Sequence, residues 1–447
     1  MKILCVAVPV STISTMRALA RTLRRRGHEV SFAGMADCAP HVEPYGFELT
    51  AIYTDWMPRG FMATWTGGPT SRPWLETLRA YLEQRRVMLR HARFLDFLAD
   101  GGHAEFTDAV RRIAPDLILV DVDVHAYWTI LAYATGIPTM YASPILPTVE
   151  DPDVPPFTTT LPPATDAASR RAVQQAWRRH FARRRRTRLA YRLAGIPNWY
   201  AQTARLARRC GVPPAMLNMR TLLMPQLDLP TVVLVPRELE FPQAGGGERL
   251  NYAEACIDFE REEPPFPWER LDPGLKLVYC SLGSIAFSRA FFQTVIDAAA
   301  REPGWQLVVN IGPQLAASDF TNVPESAILV SSAPQLTLLK RAAAMVHHGG
   351  IGSAKECAYF GVPQAVFPIG FDQPGLAARV EYHGIGATGD MAAATPQSMH
   401  ALLSRLLADE GLAARCRAIS AAVRAREEAQ EAAAIIESVG ARANGRN

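Results

Sequence analysis

The residues best suited to chemistry crowd into 331–377, SSAPQLTLLKRAAAMVHHGGIGSAKECAYFGVPQAVFPIGFDQPGLA. Ala343-Ala-Met-Val346 is a short apolar run of strand type, His347-His-Gly-Gly-Ile-Gly-Ser353 follows at once, and a helical pattern continues through Tyr359. Strand, glycine turn and helix in that order bring several backbone N–H groups and the positive end of a helix to one point, which suits a phosphate or pyrophosphate. Gly349, Gly350 and Gly352 permit close backbone approach. Ser353 adds a hydroxyl and His348 an imidazole where negative charge would collect on a leaving diphosphate. Gly361-Val-Pro363 ends the helix. The next strand, Gln364 to Pro368, runs into Ile369-Gly-Phe-Asp-Gln373, placing the Asp372 carboxylate and the Gln373 amide at the C-terminal edge of a parallel sheet, where open α/β sheets bind ligands.

Taken in order and with their spacing, Ala333-Pro-Gln335, HHGGIGS, Glu356, GVP and DQPGLAARV resemble the nucleotide-sugar signature of the family 1 glycosyltransferases, in detail the bacterial macrolide and zeaxanthin glucosyltransferase-like branch. The resemblance implies an α/β chain of the GT-B type, two doubly wound Rossmann-like domains facing a cleft. It implies that His348 contacts the donor diphosphate, that Ser353 also meets phosphate, that Glu356 binds ribose hydroxyls, and that Asp372 and Gln373 hold hydroxyls of the sugar. Ala333, Gln335, Gly350 and Gly352 belong to the same donor site. Ser284, in the strand-to-turn run Lys276-Leu-Val-Tyr-Cys-Ser-Leu-Gly-Ser284, would face the diphosphate from the other side.

With 447 residues, 49% of them hydrophobic, the chain can bury a large core and should divide into two or three domains. A net charge of +4 gives no field that argues for nucleic acid. The seven cysteines are scattered, with no CxxC or Cys/His metal spacing, which fits a reducing cytoplasm. Pro9 and the arginine-rich pattern from Arg17 stand where a signal peptide would need a cleavage site. No run approaches the ~18–20 apolar residues that span a bilayer. A soluble cytoplasmic protein is expected.

Lys2–Val8, Thr15–Arg26 and Glu29–Ala33 read as a βαβ start without the glycine fingerprint of a dinucleotide fold, so NAD or FAD is not expected. Tyr45–Tyr53 reads as a strand, and the aromatic, methionine-rich segment Trp56–Trp65 suits either an apolar acceptor pocket or a satellite core. Leu75–Ala99 is helical and basic. Pro115–His125 is a parallel-type strand in which Asp121, Asp123 and His125 alternate, so a continuing strand would point all three to one side. Asp121-Val-Asp123 also invites a metal reading, which solvated or hydrogen-bonded carboxylates at a strand edge outweigh.

Arg170–Arg192 carries ten arginines and no acid, with Trp177, Phe181, Leu189 and Tyr191 interleaved. Such a stretch could lie peripherally on an anionic membrane surface, but its narrow apolar face favours a solvated helix. Glu260–Pro273 is proline-rich and reads as a semi-rigid hinge. The chain is thus expected as an acceptor-binding domain over 1–258, a linker over 259–274, a nucleotide-sugar-binding domain over 275–425, and a C-terminal helix and tail over 426–447 returning towards the N-terminal domain, with an amphipathic helix from Leu412 to Ile436.

One family feature is missing. The first βα turn of the family usually carries a histidine in a Gly-His-x-x-Pro-like context, oriented by an aspartate, that removes the acceptor proton. The matching position here is Thr12, the later proline is Met16, and Asp121 matches the aspartate. A hydroxyl with a pKa far above 7 is no general base. Three readings stay open: Asp121, Asp123 or His125 is the base; the acceptor arrives already ionised; or the protein is a donor-binding helper that has lost transfer. The catalytic candidates are therefore Asp121, His125 and Thr12. The base-stacking aromatic of many relatives is also absent, Ser332 preceding Ala333. The expected function is inverting transfer of a hexose, glucose from UDP-glucose, to an apolar small-molecule or natural-product acceptor. No cofactor, metal or nucleic acid is expected, and the chain is expected as a monomer or homodimer.

Overall fold

The computed structural model describes residues 1–9, 12–62, 74–193, 195–245, 249–283 and 288–444; for 74–84 and 443–444 it describes the backbone alone. Ser284, Trp65 and part of the turn before Thr12 lie outside these residues.

Two wholly parallel sheets organise the chain. The first is built from β1 (Lys2–Ala7), β2 (Glu29–Gly34), β3 (Leu49–Ala51), β4 (Leu117–Asp121), β5 (Thr139–Ser143), β6 (Thr231–Val233) and β7 (Leu250–Tyr252), in the order β3-β2-β1-β4-β5-β6-β7. The second contains β8 (Lys276–Ser281), β9 (Trp305–Asn310), β10 (Ala327–Val330), β11 (Ala342–His347), β12 (Gln364–Val366) and β13 (Gly386–Thr388), ordered β10-β9-β8-β11-β12-β13. Both start in the middle and reverse direction beside the first strand. The switch points fall between β1 and β4 and between β8 and β11, and ligands bind such sheets outside the carboxyl ends there. In β1 and β8 every residue after the leading lysine is buried, as strands covered by helices on both faces require.

The helices that matter to the site are α1 (Ile13–Arg25), α2 (Trp74–Phe97), α3 (Ala126–Ala134), α4 (Ala167–Leu193) and α5 (Trp199–Arg209) in the first half. In the second half they are α6 (Gln335–Leu339), α7 (Ile351–Phe360), α8 (Gln373–Tyr382), α9 (Glu410–Ala429) and α10 (Glu431–Asn444). No helix among the described residues is long and apolar enough to cross a membrane.

Four sequence expectations change in detail. The strand expected over 115–125 stops at Asp121, because Asp121 Oδ1 accepts the Asp123 N–H at 2.9 Å and turns the chain. The strand expected over 45–53 shrinks to Leu49–Ala51, since Glu43–Tyr45 is a 3₁₀ turn with the Arg17 guanidinium over the Tyr45 ring. The helix expected over 412–436 breaks at Gln430, which takes a φ of 52°. Its apolar rhythm runs on through the break because both pieces bury a face, α9 through Leu412 and Val423, α10 through Ala432, Ala433 and Ile436, which share a cluster with Met16 and Leu19. Finally, the linker is laid along the second sheet. Phe266 is buried with Tyr279 and Met345, and the Glu263 carboxylate accepts the N–H groups of Leu336 and Thr337 at the start of α6.

Contacts between the halves fix the cleft. The Gly375 N–H of α8 donates to Phe157 O at 2.7 Å, the buried Arg379 pairs with the buried Glu240, and Lys355 of α7 reaches Thr15 of α1.

Candidate active site

Gly349 turns the chain at the top of β11 with a φ of 87°, and a Cβ there would meet Val366 Cγ1 at 2.9 Å. Helix α7 then starts at Gly350 with no side chain capping it. The N–H groups of its first turn are thus left for a ligand or water. Gly352 lies in this first turn with nothing within 4 Å of a would-be Cβ, and Ser353 is buried beside it.

The two histidines divide their work. His347 is buried, its ring facing Gln364 Oε1 at 3.1 Å and the Gly349 N–H at 3.1 Å, and it braces the turn. The His348 ring lies between two glycines: a Cβ at Gly283 would stand 2.7 Å from Cε1, and one at Gly350 2.7 Å from Nε2. Burial pushes the His348 pKa down to about 4, so the ring is neutral at pH 7. Its Nδ1 is buried with no hydrogen-bond partner among the described residues, a state that a bound oxygen would relieve.

Glu356 sits one turn further along α7 with both oxygens engaged. Arg261 donates to Oε1 at 2.5 Å and to Oε2 at 3.1 Å, while Gln335 Nε2 donates to Oε2 at 2.7 Å. Gln335 Oε1 in turn accepts from the Tyr279 hydroxyl at 3.3 Å, and Ala333 packs at the edge of the same cluster. Ribose hydroxyls would have to share Glu356 with Arg261.

At the end of the next strand, Gln373 Oε1 accepts the N–H groups of Ile369 and Gly370 at 2.7 and 3.0 Å, holding its own loop. Phe371 in that loop is 80% exposed at a φ of 56°. Asp372 has its pKa pushed up to about 6, by burial first and then by the carboxylate of Asp123. Asp123 belongs to the first half and Asp372 to the second, so the two carboxylates repel each other across the cleft.

On the first-half side, Thr12 stands at the N-terminus of α1 but its hydroxyl does not cap the helix; it donates to Asp121 Oδ2 at 3.3 Å. Asp121 is fully buried, and burial, reinforced by Asp123, pushes its pKa up to about 8. The structure corrects the shared strand face expected for Asp121, Asp123 and His125. His125 begins α3 beyond the turn, its ring 4.4 Å from that of His91 and 5.5 Å from that of Tyr127. Burial holds it neutral, its pKa well below the usual range. The described part of the aromatic segment packs as core, with Trp56 against Phe94 and Phe97 at 5.4 and 5.2 Å. Among the described residues no three His, Cys, Asp or Glu side chains are grouped to share a metal ion.

Residues 295–439 match the family described as erythromycin biosynthesis protein CIII-like, C-terminal domain. Over 96% of its length the chain is 25% identical to the zeaxanthin glucosyltransferase of Pantoea ananas, covering 93% of that protein. A match at 31% identity to the uncharacterised UDP-glucosyltransferase YojK of Bacillus subtilis (strain 168) takes in 35% of the chain and 38% of that protein. Among solved structures, the glycotransferase of kitacinnamycin superimposes with a TM-score of 0.66 at 25% identity, over 98% of each chain. The glycosyltransferase VinC, crystallised with DTDP, gives 0.65 at 19% identity, over 98% of this chain and 100% of that one. The family model, the relatives and the solved structures all indicate a GT-B family 1 glycosyltransferase. Two polar contacts of the cleft escaped the sequence. Arg261 lies in what reads as a hinge, and nothing local marks it as a partner of Glu356. Lys355 is buried, its Nζ donating to Thr15 Oγ1 at 2.7 Å and Ala255 O at 2.6 Å, so helix α7 is tied to the helix that Thr12 precedes. A lysine within a glycine-rich helix start is a signal, but it does not name its partner.

Proposed function

We propose that this glycosyltransferase moves a hexose, glucose from a UDP-sugar, onto an apolar small-molecule acceptor with inversion at the anomeric carbon. The observation that carries this reading is the uncapped α7 turn with its buried His348, tied through the Lys355–Thr15 contact to the helix that the Thr12–Asp121 pair precedes. The Pantoea relative named a glucosyltransferase supports glucose and an apolar acceptor, and DTDP in VinC makes a thymidine nucleotide the second donor to test.

In the reaction the acceptor hydroxyl gives its proton to Thr12 Oγ1 as the Thr12 proton passes to ionised Asp121 Oδ2. The acceptor oxygen attacks the anomeric carbon, the bond to the diphosphate oxygen breaks, and the charge left on that oxygen is met by the His348 N–H, the Ser353 hydroxyl and the α7 N-terminus. Thr12 is then a relay, and Asp121, enclosed behind it, the base. Asp372 and Gln373 hold the sugar, and Glu356 the ribose.

The test is release of UDP from UDP-glucose, against TDP from TDP-glucose, over a panel of phenols, carboxylic acids and polyketides, with thermal stabilisation by each nucleotide recorded in parallel. Turnover with at least one acceptor supports transfer. Stabilisation by nucleotide without turnover on any acceptor would make the chain a donor-binding helper instead.

A further inference from the structure

We infer that the outer face of α4 is a docking surface for an anionic lipid bilayer. This inference is independent of the sugar-transfer reading. Helix α4 runs for 27 residues, roughly 40 Å at the usual rise. Its inner face is closed: Val173, Ala176 and Trp177 are buried, Trp177 Nε1 donates to Val154 O at 2.9 Å, and Arg184 donates to Thr221 O at 2.6 Å. Stepping outward at helical spacing, Arg171, Arg178, Arg185, Arg186, Leu189 and Leu193 fall on the opposite side, and all six are exposed. Leu189 is 58% and Leu193 81% exposed, the latter the most exposed large apolar side chain among the described residues.

Sequence alone leaves the apolar face narrow and favours solvent. The structure shows that two leucines of this helix lie on the open side, one turn apart, at the end where Arg185, Arg186 and Arg192 are also exposed. Helix α4 contains no acid. Among the described residues, Asp153 is taken by Arg170, Glu150 by Arg220, and Asp166 by Ser169. A row of exposed guanidinium groups on a helix without acids fits the phosphates of an anionic surface, each forked donor matching one phosphate group. The leucines supply the short apolar wedge that enters the boundary between headgroups and acyl chains, which a soluble polyanion has no means to reward.

The experiment is co-sedimentation of the full chain with vesicles of phosphatidylcholine alone and of phosphatidylcholine containing phosphatidylglycerol, at low and high salt. Binding is expected only to the phosphatidylglycerol vesicles, weakening at high salt as the charges are screened. The triple variant Arg178→Glu, Arg185→Glu, Arg186→Glu should reduce the affinity by about tenfold or more. The pair Leu189→Ser, Leu193→Ser should reduce it several-fold while leaving retention on heparin unchanged. Unfolding temperatures of both variants, which replace exposed side chains, show whether each is folded. No binding to phosphatidylglycerol vesicles, or binding that neither variant weakens, overturns the inference. Equal loss of vesicle and heparin binding in the leucine variant, or no loss of vesicle binding in it, would make the face a general polyanion site and also overturn it.

Discussion

The hydroxyl of Thr12 donates to Asp121 Oδ2 at 3.3 Å across 109 residues of sequence, joining the first helix to the end of β4. This bond lowers the Asp121 pKa, against the burial and the Asp123 charge that raise it. Thr12→Val keeps the shape and removes the donor. Its kcat is expected to fall ~10² or more, the usual share of a positioned proton-transfer group, and the acid limb of its kcat/KM profile should move to higher pH. A pH profile in the same place as the parent's would show that Thr12 does not touch the titrating group.

The parent profile itself has a defined sign. Asp121 must be ionised to accept a proton, and its folded pKa is pushed up to about 8, so kcat/KM should rise with pH through that region. Folding responds in the opposite sense. Because the folded pKa lies above the unfolded one of ~3.9, the folded chain holds the proton longer, and stability falls as pH rises from about 4 through 8. Asp121→Asn should therefore raise Tm by about 2 °C or more at pH 8 and little at pH 4. Calorimetry at the two pH values checks it.

On the proposed reading Asp372 holds the sugar rather than the nucleotide. Asp372→Asn should raise the KM for UDP-glucose about tenfold, a ~1.4 kcal/mol effect, and leave the Kd of free UDP within about twofold of the parent. Loss of UDP binding in titration calorimetry would place Asp372 on the nucleotide.

His348 is neutral near pH 7, so its part is that of a hydrogen-bond donor, not a fixed cation. His348→Ala should cut kcat by ~10² to 10³, as loss of one oxyanion donor does. The ratio of variant to parent should stay flat from pH 6 to 8. A ratio that tracks pH in that range would mean the imidazole works as a cation.

How much of this was legible depends on whether a contact is local. The donor turn could be read because strand, glycines and helix start lie within 20 residues, and the conformation that Gly349 needs is a property of the residue itself. Asp121-Val-Asp123 misled because alternation was read as strand, although Asp followed two residues on by a free N–H is also a turn-forming pattern. That turn sends His125 into the aromatic cluster of α2 and α5. Arg261 finds Glu356 across 95 residues and Lys355 finds Thr15 across 340, distances at which only the assembled fold names the partner. Gln430 breaks the last helix without glycine, and both pieces keep burying one face, so periodicity had nothing to report.

The most direct measurement is turnover and donor binding on the same preparation of Asp121→Asn, with one acceptor that the parent glycosylates. UDP-glucose affinity by calorimetry is expected to stay within about twofold, while kcat falls ~10² to 10⁴. Unchanged kcat in Asp121→Asn would contradict a reaction centred on the Thr12–Asp121 pair.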